Sequence, residues 1–350
     1  MIKNILIAGL FLLSGLVLVA ADKAETQTAS TITAKIESLI LTGEVKEAAR
    51  LAAKNKGAFD EVVAKLISDV DDQVTDRKIE EARKAITATD AFLDAYAAVD
   101  EAKTLPRDAV KGRILRLEGI RLNDNKNYGE AEPVLKQALE MSQRAKDPLL
   151  EAGIHNNLGY SLRYQNKLAE ALEEFSVAVK MAESQKDDLR AGSYNINLGE
   201  TQLLRDSPAK AIASFEKAVK QNHTADQPAR EARALFMQAR AMGLMDLKGG
   251  SAAILKQSLQ LYKQALDMYE KLGEEGNVSL CWFVMADKTA AAKKWDLAAA
   301  YAENALPHYV EVTDRLMQNA CYSILAEAYK QLGNPAKAAK NLQLANETKE

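Results

Sequence analysis

The sequence predicts an all-α protein built from repeated helical hairpins. Three observations lead to this fold class. The 350 residues include only 17 glycines and 7 prolines, fewer than turn-rich β folds or disordered chains contain. Apolar residues recur with a helical period from Ile36 onward. Small residues also recur at a fixed 40-residue spacing, which is typical of a solenoid of stacked units.

The 40-residue spacing holds at several positions at once. The repeated glycines are Gly119, Gly159 and Gly199, and the residues that follow them are Ala131, Leu135 and Ala138, then Ala171, Phe175 and Ala178, then Ala211, Phe215 and Ala218. Two helices approach closely only where one of them presents a small residue. Each unit is therefore predicted to be a pair of antiparallel helices. About six such pairs are expected to stack, because one pair alone cannot bury its apolar face.

One unit contains an insertion. It begins in register at Ala239 and then gains seven residues around residues 248–254. Seven residues are close to two helical turns, so the insertion can lengthen the second helix of this unit without rotating its buried face. Ser251 is the predicted N-cap of that longer helix.

These motifs resemble the tetratricopeptide-repeat (TPR) superfamily. Residues 155–162, His-Asn-Asn-Leu-Gly-Tyr-Ser-Leu, approximate its first-helix pattern, and Ala171, Phe175 and Ala178 carry its second-helix pattern. The period of 40 exceeds the usual one of about 34 residues and is similar to the longer-helix subclass found in kinesin light chains. The resemblance extends from about Ala109 to the C-terminus. It implies an α-α superhelix (TPR solenoid) that binds a protein or peptide in its groove and performs no chemistry.

The extent of the repeats sets the predicted domain organisation. Four segments are predicted: a signal peptide at 1–21, a flexible leader at 22–33, an N-terminal helical cap or degenerate repeats at 34–105, and the TPR solenoid at 106–350. Three or four helices are expected in 34–105, with an independent small domain as the alternative. Ala91, Ala95 and Ala98 precede Ala131, Leu135 and Ala138 by the same 40-residue step, so they are predicted to continue the register.

No residue pattern for catalysis or cofactor binding is present. The three histidines are far apart and form no HExxH pair, and the sequence has no CxxC, GxSxG or phosphate-binding GxxxxGK motif. We therefore expect no catalytic residue, no cofactor and no metal site. His155 occupies the large-residue position of a first helix, where packing is the simpler interpretation.

The two cysteines are predicted to be reduced. Cys281 and Cys321 are separated by one 40-residue period and so occupy the same position in successive units. Stacking separates such positions by about 9–10 Å, whereas a disulfide needs Cα atoms within about 7 Å. We expect two buried thiols.

The resemblance also implies a binding surface. In this repeat class, first-helix residues that flank the Leu-Gly pair line the concave groove. By register these are Asn156, Asn157, Tyr160, Arg163, Tyr164, Asn197, Glu200 and Arg240. Asn157 and Asn197 are equivalent, and amides can satisfy an extended peptide backbone through donors and acceptors. The alternative is that these asparagines bond to the adjacent helix.

The predicted function is that of an exported scaffold or adaptor in an envelope assembly. A formal charge of -3 excludes a broadly basic nucleic-acid surface. A solute- or glycan-binding accessory protein of a transport system is the alternative, for which Trp282 and Trp295 could provide stacking, although core packing explains both more simply. The last second helix, around Leu342, is expected to expose apolar surface that a partner or a second copy of the chain could cover.

The N-terminus predicts export. Lys3 precedes an apolar run from Ile5 to Val19, and Val19-Ala20-Ala21 provides a small-residue cleavage site before Asp22. The protein is therefore expected in the periplasm or secreted, without a membrane span after cleavage. The alternative is an uncleaved anchor, since residues 5–21 are at the short limit of what crosses a bilayer.

Sequencing the N-terminus of native protein should give Asp22 or a residue within one or two of it. Full-length protein recovered from the cytoplasm would contradict export. Full-length protein recovered from the membrane would instead support the anchor.

Overall fold

The computed structural model describes residues 31–75, 79–97, 104–245 and 251–349. Within these ranges the chain consists of helices joined by short connections, which confirms the all-α fold class. The predicted signal peptide lies outside the described residues. The chain divides into two compact units, Met1–Gln165 and Asn166–Glu350. None of the described helices combines the length and the apolar character needed to cross a bilayer.

Four helices form the N-terminal part of the first unit. They are α1 (31–41), α2 (Val45–Lys54), α3 (Lys56–Thr75) and α4 (Ile79–Ala97). Their shared core contains Phe59 and Tyr96, whose rings stack with centroids 4.0 Å apart. The predicted leader, 22–33, is wrong for its last three residues. These belong to α1 because Thr33 is buried and donates a hydrogen bond from Oγ1 to Glu61 Oε2 at 2.8 Å.

The predicted register of α4 is also wrong. Ala91 is exposed and Ala95 is only partly buried, whereas Phe92, Leu93 and Tyr96 are fully buried. Ala98, the third residue of that register, lies outside the described residues. A shift of one residue turns a helix face by about 100°. The reason is that α4 buries large side chains against Phe59 instead of presenting small ones, so the alanine spacing does not mark its core face.

The remaining helices follow the 40-residue repeat. The first unit continues with α5 (Thr104–Asp124), α6 (Tyr128–Ala145) and α7 (Pro148–Tyr164). The second unit contains α8 (Leu168–Ser184), α9 (Asp188–Leu204), α10 (Pro208–Thr224), α11 (Pro228–Met245), α12 (Ala252–Leu272), α13 (Glu275–Ala291), α14 (Trp295–Glu311), α15 (Arg315–Gln331) and α16 (Pro335–Glu347). Helix α5 starts two residues before the predicted boundary at 105/106. Its Pro106 stands in the first turn, where no intrahelical N–H bond is lost.

The repeats α7–α8, α9–α10 and α13–α14 each consist of two helices of equal length. Most helices from α7 to α15 have 17 residues and are followed by three-residue connections. The middle residue of the three-residue connections has a positive φ, at Lys126, Asn166, Lys186, Asp206, Asp226, Lys293, Thr313 and Gly333, and in the two-residue connections 146–147 and 273–274 the first residue does, at Lys146 and Gly273. A left-handed residue at this place ends a helix and lets the following N–H groups bond to its last carbonyls. Asp147, Asp187 and Asp314 cap the next helix by accepting a backbone N–H bond.

The insertion has the predicted effect. Helix α12 has 21 residues, four more than α13, and Ser251 is its N-cap, with Oγ accepting from Ile254 N at 3.4 Å. The connection 246–251 contains the other added residues, and residues 246–250 lie outside the described part of the chain. The buried face of α12 is unchanged, since Ser258, Tyr262 and Ala265 are buried as their register predicts.

Residues assigned to packing are located as predicted. Cys281 and Cys321 are both free and buried, and burial raises the pKa of each thiol to about 12. His155 is buried in α7 with its Nε2 3.8 Å from Glu151 Oε1. Trp282 and Trp295 pack against buried core residues. Leu342 is 56% exposed on α16, whose only buried residue is Ala345, so the predicted exposed apolar surface is present.

Close helix contact depends on the repeated small residues. A Cβ atom on Gly199 of α9 would stand 2.6 Å from Cε1 of Phe215, which is fully buried in α10. Alanines 131, 138, 211 and 218 at the related positions are all fully buried. The large residue of one helix therefore fills the space that the small residue of the other leaves open.

Gly199→Ala should lower the free energy of unfolding by about 1–3 kcal/mol, because the buried ring of Phe215 must move to admit the methyl group. Urea unfolding followed by circular dichroism measures this loss. The matched control is Gly129→Ala in α6, where an added Cβ meets no atom within 4 Å. This variant should unfold as the parent does or be more stable by up to about 1 kcal/mol. Equal losses in the two variants would contradict the close-contact explanation.

Candidate functional site

The predicted site residues lie on three helices. Asn156, Asn157, Tyr160, Arg163 and Tyr164 are on α7 in the first unit, whereas Asn197 and Glu200 are on α9 and Arg240 is on α11 in the second unit. We describe each unit's residues separately. In the first unit the structure brings the two tyrosines and Arg163 together with a residue that the sequence analysis did not select, Tyr128.

Three tyrosines form a compact surface group, here called the tyrosine cluster: Tyr128, Tyr160 and Tyr164. The rings of Tyr128 and Tyr164 stack with centroids 4.9 Å apart and planes inclined by 12°. The Tyr160 ring lies 4.7 Å from that of Tyr164 and 6.4 Å from that of Tyr128. Tyr164 is 52% exposed although its ring stacks on that of Tyr128. The cluster thus presents aromatic surface in a fixed geometry.

Two hydrogen bonds join the start of α6 to α7 and so position Tyr128. Ser161 donates a hydrogen bond from Oγ to the backbone oxygen of Tyr128 at 2.7 Å, and Gln165 donates to the same oxygen from Nε2 at 3.1 Å. Tyr128 follows directly after the connection 125–127 and is the first residue of α6. Its ring therefore reaches the last two turns of α7, where the other two tyrosines stand one helical turn apart.

Arg163 adds positive charge to the tyrosine cluster. Its Cζ lies 5.2 Å from the ring centroid of Tyr160 and 5.3 Å from that of Tyr164, so the guanidinium makes cation–π contacts with both rings. These contacts hold the guanidinium beside the exposed aromatic surface. The arrangement can bind an apolar side chain and a carboxylate or carbonyl oxygen next to each other.

The hydroxyl of Tyr160 is a hydrogen-bond donor throughout the physiological pH range. Burial raises the pKa of Tyr160 to about 12, and the hydrogen bond with Tyr164 and the neighbouring phenols act in the same direction. The nearby charge of Arg163 lowers the pKa but is the smaller influence. The phenol is thus neutral and cannot act as a general base near pH 7.

The two asparagines of α7 are less accessible than their predicted role in binding an extended peptide backbone requires. Asn156 and Asn157 are both partly buried, and the Nδ2 atom of Asn157 is buried without a hydrogen-bond acceptor among the described residues. The backbone oxygen of Asn157 accepts a bond from Asn123 Nδ2 at 3.2 Å. Because its donor group faces away from solvent, the Asn157 amide does not present both its donor and its acceptor to a ligand in this conformation.

In the second unit, the predicted residues are occupied by protein contacts. Glu200 of α9 forms an ion pair with Arg233 of α11, with Oε1 and Nη2 2.5 Å apart. This pair joins two first helices across the surface on which a ligand was predicted. Asn197 is partly buried on the same helix, and its backbone oxygen accepts from Thr201 Oγ1 at 2.8 Å. A ligand that used Glu200 would have to compete with the Arg233 guanidinium.

Arg240 is exposed on α11. Its charge is close enough to influence Tyr262, a fully buried phenol whose pKa is raised mainly by burial. Arg240 thus lies near the buried aromatic ring of Tyr262. The structure therefore brings Tyr160, Arg163 and Tyr164 together with Tyr128 in one unit, and in the other unit it pairs Glu200 with Arg233.

Sequence reasoning missed Tyr128 and Arg233. Tyr128 is the first residue of a second helix, and an aromatic residue at that position is expected to pack against the preceding turn. Trp295 occupies the same register position in a later repeat, and it does pack in the core. Arg233 lies seven residues before Arg240, so both are on one helix face. This seven-residue spacing is the sequence feature that could have placed Arg233 on the predicted binding surface.

The buried Nδ2 of Asn157 should contribute little to stability, since it has no hydrogen-bond acceptor among the described residues. Asn157→Leu should leave the thermal midpoint unchanged or raise it, because the buried Nδ2 loses no hydrogen bond and leucine already stands at the equivalent place in α5, at Leu117. Asn195→Leu is the matched control. Asn195 is 1% exposed and donates to Gln221 Oε1 at 2.8 Å, so this variant should lose about 1–2 kcal/mol of unfolding free energy. Similar losses in both variants would show that the Asn157 amide is hydrogen-bonded in solution.

Comparisons with known proteins support the fold. No protein-family model matches the sequence, and no curated protein matches it significantly. Among solved structures, a Signal Transduction ATPase with Numerous Domains (STAND) protein with a tetratricopeptide repeat sensor, from Pyrococcus horikoshii, superimposes with a TM-score of 0.63 at 14% identity, covering 88% of this chain and 50% of that one. The chain thus spans half the length of that ATPase.

Two further structures match most of both chains. Aspartyl phosphate phosphatase F from Bacillus subtilis gives a TM-score of 0.56 at 12% identity, covering 92% of this chain and 94% of that one. A Rap protein complexed with Competence and Sporulation Factor gives 0.50 at 12% identity, covering 92% and 98%. At these identities the likeness concerns the fold. The chain therefore has the helical-hairpin fold of tetratricopeptide-repeat-like proteins, which its repeated motifs predicted.

Proposed function

We propose that this protein is an exported scaffold that binds a protein or peptide partner through the tyrosine cluster and Arg163. The observation that carries the proposal is the combination of a half-exposed, stacked aromatic ring, Tyr164, with a guanidinium held against it. Binding without catalysis is part of the proposal, as is the location in an envelope assembly, which rests on the N-terminal sequence alone.

Tyrosine and arginine are the residue types that dominate binding energy at protein interfaces. An exposed ring usually loses conformational freedom when a partner covers it, and this loss opposes binding. Here the stack of Tyr128 on Tyr164 already restricts both rings before a partner arrives. The tyrosine cluster is thus preorganised, and its apolar area contributes to affinity at a reduced entropic cost.

The charge of Arg163 favours one chemical class of partner. An extended segment with an apolar or aromatic side chain next to a carboxylate or a C-terminal carboxyl group would contact the rings and the guanidinium together. Such hydrogen bonds to charged groups contribute about 1.5–3 kcal/mol each. A basic segment would be repelled by Arg163 and should bind more weakly.

The structural neighbours support binding as the activity of this fold. One is a Rap protein in complex with Competence and Sporulation Factor, and another includes a tetratricopeptide-repeat sensor. Aspartyl phosphate phosphatase F has a similar fold, so the fold alone does not separate binding from catalysis. Our proposal of binding rests on the tyrosine cluster, in which the phenol with a shifted pKa is a neutral donor and not a base.

Site-specific photo-crosslinking tests the location of the surface. A photoreactive phenylalanine analogue at Tyr164 should capture a partner in cells, whereas the same analogue at Lys136, exposed on α6 of the same unit, should not. Mass spectrometry of the envelope fraction would identify the captured protein. Capture at 136 but not at 164 would contradict the proposed surface.

Variants then measure the contribution of the cluster. Arg163→Ala combined with Tyr164→Ala should weaken binding of the captured partner at least tenfold, because the double change removes the exposed ring and the guanidinium. The control is Arg144→Ala, which removes an arginine exposed on α6 that is 3.9 Å from Glu140. Unchanged affinity in the double variant, with an unchanged circular dichroism spectrum, would rule out the cluster as the binding surface.

A further inference from the structure

Three side chains of the kinds that bind metal ions meet at one end of the α13–α14 hairpin. Glu275 is the first residue of α13, and His308 and Glu311 are in the last turn of α14. The two helices run antiparallel with the connection 292–294 at the other end, so these residues stand at the open end of the pair. One ligand atom from each side chain lies within 4.8 Å of those of the other two.

The polar atoms of these side chains are not engaged by the rest of the described structure. None of the three makes a side-chain hydrogen bond or an ion pair with another described residue, and the Nδ1 atom of His308 is buried without a hydrogen-bond partner. Two carboxylates at this separation repel each other unless a cation lies between them. The arrangement therefore provides negative charge and an imidazole without any described protein group that satisfies them.

The repeat provides an internal comparison. The equivalent residues are Asp188, Gln221 and Thr224 in the α9–α10 hairpin and Pro228, Met268 and Lys271 in the α11–α12 hairpin. Neither set combines an imidazole with two carboxylates, the side chains typical of a Zn²⁺ site. The combination of Glu275, His308 and Glu311 is thus not a consequence of the repeat pattern, which needs no ligand-type residue at any of these positions.

The ligand types and their spacing fit a transition-metal ion. A tetrahedral Zn²⁺ site has bonds of about 2.0–2.2 Å to nitrogen and oxygen, which places its ligand atoms about 3.4 Å apart. Both glutamates are exposed, so rotation about their side-chain bonds can close the gap from 4.8 Å. Gly276 has no side chain, so the space beside Nε2 of His308 stays open at that position. Ca²⁺ and Mg²⁺ prefer more oxygen ligands than this site offers.

We propose that Glu275, His308 and Glu311 bind one Zn²⁺ ion at the open end of the α13–α14 hairpin. Three protein ligands leave a fourth position, which water or a partner's side chain can occupy. Bound zinc would join the N-terminus of α13 to the C-terminus of α14 and so oppose separation of the two helices. This inference does not depend on the proposed function of the tyrosine cluster, which lies in the other unit.

Isothermal titration with Zn²⁺ alone tests the proposal on the native chain, purified without a histidine tag and treated with a chelator. One ion should bind per chain, and the thermal midpoint should rise with Zn²⁺ concentration, because a ligand that binds the folded state stabilises it. Mg²⁺ and Ca²⁺ should bind at least tenfold more weakly. No saturable binding, or binding of Mg²⁺ as tight as that of Zn²⁺, would overturn the site.

Variants locate the ion. His308→Ala and Glu311→Gln should each weaken Zn²⁺ binding at least tenfold and remove the Zn²⁺-dependent rise in the midpoint. The matched control is His223→Ala. His223 lies 3.1 Å from Glu231, so it forms a histidine–carboxylate pair without a described third ligand, and its replacement should change neither result.

Glu311→Gln keeps the size of an exposed side chain, so it decides the outcome if His308→Ala is poorly folded. Zn²⁺ affinity that is unaffected by Glu311→Gln, or that is lost in His223→Ala, would place the ion elsewhere and refute the proposal.

Discussion

The structure depends on close contact between helices at positions of minimal side-chain size. Gly199 packs against the ring of Phe215, and Ala131, Ala138, Ala211 and Ala218 are buried completely. Dispersion contacts and removal of apolar surface from water act over this short distance, so a small change in spacing removes much of the stabilisation. The regular helix length and the three-residue connections keep these contacts in register within each unit.

The 40-residue spacing predicts the buried residues correctly where a small residue of one helix faces a large residue of the next. It predicts them wrongly where two helices pack large residues against each other. Phe175 and Phe215 are buried as their 40-residue spacing indicates. In α4 the same spacing pointed to Ala91, but Phe92 and Tyr96 fill the core instead. The reason is that α4 packs large residues against α3, and a rule derived from small-residue contacts does not describe that arrangement.

The candidate site was harder to predict because it depends on contacts between helices. Register placed Tyr160, Arg163 and Tyr164 on one surface, and the structure shows their rings and guanidinium in contact. The register could not show that Tyr128 completes the stack, because the position of its ring depends on the hydrogen bonds that join the start of α6 to α7. Nor could it show that the Nδ2 of Asn157 faces inward or that Glu200 is paired with Arg233. Partner choice for a polar side chain is a tertiary property.

The equal halves of the repeat have a consequence for how the chain folds. Each described helix of the repeat packs mainly on the helix before it and the helix after it, so within either unit most contacts join residues close in sequence. Closing such short segments costs little chain entropy, and proteins with low contact order fold quickly. Folding can begin in any hairpin and spread to its neighbours, and unfolding can begin as fraying of the terminal helix α16, which buries only Ala345.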